Sequence, residues 1–222
     1  MAARPKSVAF DVIGTTFSLE PVRDALVQLG VPSQALEIWF ARSLRDAFAL
    51  AATEAFSPFR ALFENNLDEL ARSHSVSIGA EQKEQVLSQF AALPAHSDAT
   101  EAFQLPRNAS IRIFTLSNGT TAVSEKLLQK AGLMNLAERV ISVDDIRVFK
   151  PRREIYLHAA QLAGIAPSDM ALVATHAWDV HGAKRTGLMA GFVTREQIFP
   201  ATMQVPDVTG ASLLDVARAL AG

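Results

Sequence analysis

Ser7 to Phe17, SVAFDVIGTTF, is the stretch from which the rest of the chain can be read. Val8-Ala9-Phe10 is a β-branched and aromatic run that predicts a short buried strand; it ends in Asp11, and Gly14-Thr15-Thr16 turns the backbone away. Ligands of an open parallel sheet bind in the crevice outside the carboxyl ends of its strands, so a carboxylate at a strand tip is placed for chemistry. Asp11 reads equally as a cap for the turn behind it. The choice depends on what other strand ends bring to it.

Downstream, from about Ser18 to Pro94, strand signals vanish and helical periodicity takes over. Leu26, Leu29, Ala35, Leu36, Trp39, Phe40, Leu44, Phe48 and Leu50 recur at helical spacings, with Pro32-Ser33 as a helix start between two runs. Further helices are expected from Pro58 to about Ser73 and from Ala80 to Ala92, and Leu93-Pro94 closes this helical insert. The second half alternates. Ile111 to Leu116 predicts a strand ending in Ser117-Asn118-Gly119, and Thr121 to Ala131 a helix stopped by Gly132. Arg139 to Ser142 is a strand, Arg152 to Ala163 a helix opened by Pro151 and stopped by Gly164, and Met170 to Ala174 a strand running into Thr175-His176-Ala177-Trp178-Asp179. A helix to about Thr186, a strand at Ala190 to Val193 and a closing helix from Ala211 to Ala221 complete the series. Strand alternating with helix predicts an α/β fold, a doubly wound parallel sheet.

Composition narrows the function classes. The 222 residues suffice for a large core or for a core with a smaller inserted domain, and 49% hydrophobic residues describe a globular chain. Lys+Arg 21 against Asp+Glu 23, with no block of like charge, argues against nucleic acid or a membrane surface as partner. The absence of cysteine excludes a disulfide scaffold, a thiolate metal site and a cysteine nucleophile, and fits a reducing cytoplasm. The apolar run behind MAARPKS is too short for a signal-peptide core, and no stretch approaches transmembrane length. A soluble, cytoplasmic protein is expected.

The strand tips and adjacent turns present Asp11 with Thr15, Ser117 with Asn118, Lys150, and Asp179 with His176, all on one edge of a parallel sheet. Each has an ordinary alternative. Ser117-Asn118-Gly119 is a common turn triplet, Lys150 before Pro151 reads as a solvated lysine, Asp179 as a helix N-cap, and His176 as a partly exposed turn histidine. Their convergence argues for a site. His74, His96, His158 and His181 have no metal-ligand spacing, and no metal site is expected.

In order and spacing these motifs resemble the haloacid dehalogenase superfamily, in particular its L-2-haloacid dehalogenase (type II) branch. The matching stretches are FDVIGTTF with Asp11 and Thr15, LEIWFARSL with Arg42, LSNGT with Ser117 and Asn118, SVDDIRVFKP with Lys150, Tyr156 beyond it, and AWDVHGAKRTGL with Asp179. The resemblance spans nearly the whole chain. It implies a Rossmann-like core, residues 1–17 and 95–222, under a helical cap, residues 18–94, and a tendency to form homodimers. It further implies that Asp11 attacks the halogen-bearing carbon of a small 2-haloacid, that water cleaves the resulting ester, and that a 2-hydroxy acid of inverted configuration leaves with the halide. Lys150 and Ser117 would stabilise the reacting carboxylates, Thr15 and Asn118 would hold them, and Asp179 would orient Lys150 and help activate water. Arg42 would receive the halide and Tyr156 would support the site, with no cofactor. Phe59 and Trp178 are candidates for the apolar wall, although an aromatic on a helix also reads as core. The branch usually carries tyrosine at Ile13, serine at Ala174 and asparagine at His176, so Ile13 and His176 are expected to reshape the substrate pocket.

The superfamily's phosphatases carry a second aspartate two residues after the nucleophile and an acidic cluster for magnesium in the last motif. Here Ile13 stands at the first position and Asp179 has no adjacent carboxylate, which leaves a hard cation short of oxygen ligands. A leaving halide needs no proton, and an apolar neighbour suits attack on an alkyl carbon. The alternatives to a metal-independent dehalogenase are a superfamily hydrolase such as a phosphatase acting on another small acid, and a noncatalytic binding protein on the same fold.

Overall fold

The computed structural model describes residues 4–195 and 197–222, so residues 1–3 and Glu196 of the segments assigned to the core lie outside it. Six parallel strands form one sheet: β1 (Ser7–Phe10), β2 (Arg112–Ser117), β3 (Arg139–Ser142), β4 (Met170–Ala174), β5 (Met189–Val193) and β6 (Val208–Gly210), in the order β3-β2-β1-β4-β5-β6. This is the doubly wound order whose switch point falls between β1 and β4. Every residue of β1 and of β4 is buried, because helices cover both faces of a parallel sheet, and this is why these strands read as continuous apolar runs rather than alternating ones.

Between β1 and the next core element the chain is helical: α1 (Glu20–Gln28), α2 (Ala35–Ala52), α3 (Phe59–Ser73) and α4 (Ala80–Ser88), the last followed by a 3₁₀ turn at Gln89–Ala91. The chain leaves and returns side by side, with Ser18 N–H donating to Pro94 O at 2.9 Å and His96 N–H to Thr16 O at 3.0 Å. The insert packs around its own aromatic cluster, in which Trp39 and Phe63 lie 5.0 Å apart and Phe63 and Phe90 4.5 Å apart. The Trp39 indole N–H donates to Phe63 O at 2.9 Å, which satisfies its polar atom within the apolar centre.

The remaining helices are α5 (Ala99–Asn108), α6 (Thr121–Lys130), α7 (Arg153–Ala163), α8 (Ala177–Thr186) and α9 (Leu213–Ala221). Two elements were not expected from the sequence. Helix α5 contains Pro106, which reads as a breaker; the helix persists because Ala99, Ala102, Phe103 and Pro106 are all buried, with Phe103 stacked on Phe10 at 4.4 Å. Strand β6 is a three-residue edge too short to show a period. Helix α9 begins at Leu213 rather than Ala211, because Ser212 and Asp215 form a capping box there.

Candidate active site

Asp11 follows β1 and His176 follows β4, so the two flank the switch point of the sheet. Asp11 is 4% exposed. Its Oδ1 accepts from Lys150 Nζ at 2.8 Å, its Oδ2 from the Thr15 hydroxyl at 2.6 Å, and its backbone carbonyl from the Thr16 hydroxyl at 2.6 Å. Thr15 is itself held by the backbone N–H of Thr175 at 3.0 Å, which ties the β1 loop to the end of β4. Gly14 completes the turn at φ +81°, and a Cβ there would stand 3.1 Å from His176 Nε2, so glycine is required for both backbone and space.

Lys150 has no solvent exposure. Its ammonium donates to Asp11 Oδ1, to Leu116 O at 3.0 Å and to Asp179 Oδ2 at 2.6 Å. Burial alone would lower an ammonium's pKa; the carboxylates of Asp11 and Asp179 outweigh it and hold Lys150 above its ordinary value, fully charged. The cluster of two carboxylates and one ammonium keeps an excess negative charge. Burial first, and then the like charge of Asp11 against the pull of Lys150, raises Asp179. Tyr156, also fully buried, donates its hydroxyl to Asp179 Oδ1 at 2.6 Å; burial and then the Asp179 charge push the phenol well up, so it remains a donor. Asn118 Oδ1 accepts from the Lys150 backbone N–H at 3.1 Å and fixes the loop carrying the lysine. Ser117 Oγ accepts from the Gly119 N–H at 2.9 Å.

Above Asp11 is a small pocket of about 20 Å³, room for one water-sized occupant, lined by Ile13, Phe40, Leu44, Phe59, Trp178 and His176 together with Ser117, Asn118 and Gly119. A larger cavity of about 340 Å³ shares Ile13, Phe59 and Gly119 with it and extends under the insert. The structure therefore brings Asp11, Ile13, Thr15, Phe59, Ser117, Asn118, Lys150, Tyr156, His176, Trp178 and Asp179 together.

Two expected roles are not met by the geometry. Arg42 does not line the pocket. Residues four apart share a helix face, and on α2 the pocket-facing pair is Phe40 and Leu44, which turns Arg42 to the other side, where its Nη1 lies 3.6 Å from Glu69. Asp179 is fully buried behind Lys150, with one carboxylate oxygen taken by the ammonium and the other by Tyr156, and it does not line the pocket where water would react. Asp179 lies in the first turn of α8, whose N-cap is His176. Phe40, which lines the pocket, and Thr16, which donates to the Asp11 carbonyl, were not singled out from the sequence; the signal for Phe40 was its pairing with Leu44 at helical spacing.

Divalent-cation chemistry does not fit this donor set. The Lys150 ammonium stands between Asp11 and Asp179 and uses an oxygen of each, and among the described residues no group of three or more His, Cys, Asp or Glu could hold a metal.

Residues 5–187 match the family model of the haloacid dehalogenase-like hydrolases. The chain is 25% identical to (S)-2-haloacid dehalogenase 4A of Burkholderia cepacia over 194 residues, 86% of this chain and 84% of the relative. It is 29% identical to the (S)-2-haloacid dehalogenase of Xanthobacter autotrophicus over 197 residues, 86% of this chain and 75% of that one. Its fold is that of the Xanthobacter autotrophicus L-2-haloacid dehalogenase solved with chloropropionic acid covalently bound, with a TM-score of 0.88 at 23% identity over 98% of this chain and 99% of the other.

Proposed function

The chain belongs to the haloacid dehalogenase-like hydrolase family, and we propose that within it the protein hydrolyses short L-2-haloalkanoic acids to D-2-hydroxy acids through an ester on Asp11. The observation that carries this reading is the Asp11 carboxylate, paired with a buried ammonium and opening on a pocket walled largely by Ile13, Phe40, Phe59 and Trp178. A carboxylate so placed is desolvated on its substrate side and suited to attack on carbon. The relatives named for (S)-2-haloacids support the same substrate class.

In the first step an Asp11 oxygen forms a bond to C2 of the acid while the carbon–halogen bond breaks and the halide leaves with the electron pair. In the second, water attacks the Asp11 carboxyl carbon, and the negative charge that develops on Oδ1 faces the Lys150 ammonium. The acyl–oxygen bond then breaks and the 2-hydroxy acid leaves with inverted configuration. Thr15 and Asn118 position the reacting groups, Asp179 and Tyr156 hold Lys150, and Ser117 lines the pocket to meet the substrate. Arg42 has no part in this scheme. The helical insert acts as a cap over the pocket, and a homodimer belongs to the same reading. No helix among the described residues is long and apolar enough to cross a membrane.

Chloride release from each enantiomer of 2-chloropropionate, measured in buffer with chelator, tests this function. Release from the L enantiomer alone is expected. No release from either, together with magnesium-dependent hydrolysis of a small phosphate ester, would replace this reading with the phosphatase alternative.

A further inference from the structure

Ester hydrolysis at Asp11 needs a proton for the departing oxygen, and Asp179, Lys150 and Tyr156 are committed to one another behind the pocket. Apart from Asp11, the one side chain lining the pocket that can both donate and accept a proton as an acid–base group is His176. Its Nε2 lies 3.1 Å from Ile13 O and 3.6 Å from Asp11 Oδ2. The Ile13 carbonyl at hydrogen-bond distance needs a donor, so Nε2 carries the hydrogen. The ring is clamped between Phe40, at 5.6 Å and 24°, and Trp178, at 5.4 Å and 13°, an aromatic sandwich that favours a cation. His176 also lines a second, outer cavity of about 350 Å³. One ring thus borders both the buried carboxylate and the outer space.

The two Asp11 oxygens differ. Oδ1 accepts a charged hydrogen bond from Lys150 at 2.8 Å, whereas Oδ2 accepts only the neutral Thr15 hydroxyl bond and has His176 Nε2 beyond hydrogen-bond distance at 3.6 Å, so Oδ2 is the less tightly held nucleophile. An ester formed through Oδ2 sends that oxygen away with the product, past Nε2. We propose that His176 is the general acid of ester hydrolysis, protonating the oxygen that leaves Asp11 and relaying protons between the buried site and the outer cavity. The inference rests on the dehalogenase reading of the same site.

The proton balance closes. Water adds its oxygen to the Asp11 carboxyl carbon and gives up a proton; the carbon–Oδ2 bond breaks and Oδ2 takes the Nε2 proton to become the product hydroxyl. The imidazole recovers the proton that water released. Asp11, left as the acid, loses its own proton to solvent and returns to the carboxylate beside Lys150. The other titratable or charged groups facing His176 are Lys150, across the Trp178 ring at 5.9 Å, and, around the outer cavity, His96, Arg195, Glu20, Arg23 and Glu37.

Single-turnover quench of the wild type and His176→Phe, which keeps an aromatic ring between Phe40 and Trp178 but carries no proton, with L-2-chloropropionate, reading both chloride and intact protein mass, decides the matter. The variant is expected to release one equivalent of chloride and then to hold a mass increase of one propionate unit, with ester breakdown slowed by about 10²-fold or more. Wild-type ester breakdown is expected to slow as pH rises through the histidine range, and that of the variant to lose this dependence. Breakdown at the wild-type rate and pH profile in the variant would overturn the assignment, as would loss of the chloride step itself. If His176→Phe fails to fold by circular dichroism, a flat pH profile for wild-type breakdown overturns it alone. A wild type that releases no chloride defeats the dehalogenase reading and this inference with it.

Discussion

Lys150 Nζ donates to Asp11 Oδ1 at 2.8 Å across 139 positions of sequence, from a site with no solvent exposure. The pair exists because the parallel sheet delivers β1 and the loop after β3 to the same edge.

Replacing Lys150 by methionine leaves Asp11 and Asp179 buried without their cation. Breaking a buried pair from one side costs about 3–5 kcal/mol. Asp179 already has a raised pKa against the pull of Lys150, and in the variant, without that pull, it rises further above its unfolded value. A raised folded pKa favours folding below the unfolded value, and that advantage is lost as pH climbs through the folded one. Lys150→Met is therefore expected to come closest to wild-type stability in acid and to fall behind as pH rises, measured by urea unfolding across pH.

Gly182 on α8 admits the Tyr156 ring. A Cβ at Gly182 would stand 2.6 Å from Tyr156 Oη and 2.6 Å from Pro151 Cβ. Gly182→Ala is expected to cost about 1–3 kcal/mol, and to lower turnover by loosening the Tyr156 grip on Asp179. Thermal unfolding and steady-state rates check both parts.

Arg42→Ala is expected to leave dehalogenation near the wild-type rate, because Arg42 faces Glu69 and not the pocket. Its contact with half-exposed Glu69, at 3.6 Å and without a hydrogen bond, is worth about 0–1 kcal/mol. A loss of turnover as large as that of an active-site variant would show that the insert moves to bring Arg42 in.

Chelation is expected to leave the rate unchanged, since the Lys150 ammonium already neutralises the carboxylates that a cation would need. Rates with and without a strong chelator, and with added magnesium, read this directly.

The strand tips were legible in the sequence because strand-forming runs are short, apolar and bounded by turn residues, so Asp11, Ser117, Asn118, Lys150 and Asp179 could be placed on one edge from spacing. The family resemblance supplied what spacing could not, namely which of those residues would react. Residues on the helical insert were harder. Phe40, Arg42 and Leu44 sit within one turn and a half of α2, and only the packing of that helix shows which of its faces meets the core. Helix α5 was hidden by Pro106, whose cost is offset by burial against Phe10 and α9 rather than by any local signal. The reach of His176 to Asp11 depends on Gly14 and on the stack with Phe40 and Trp178, contacts between segments far apart in the chain.

Asp11→Asn is expected to keep the fold and lower turnover by about 10⁴-fold or more, the scale at which removing a covalent nucleophile acts. Circular dichroism and chloride release together check it.

The covalent role of Asp11 is tested most directly by a single turnover of L-2-chloropropionate in heavy-oxygen water, with enzyme in excess. The account predicts that the 2-hydroxypropionate formed carries no heavy oxygen and that the label appears in the peptide containing Asp11, because the product takes its oxygen from the carboxylate and water replaces it. Heavy oxygen in the product hydroxyl on the first turnover, with Asp11 unlabelled, would mean that water attacks the carbon directly and would contradict the account.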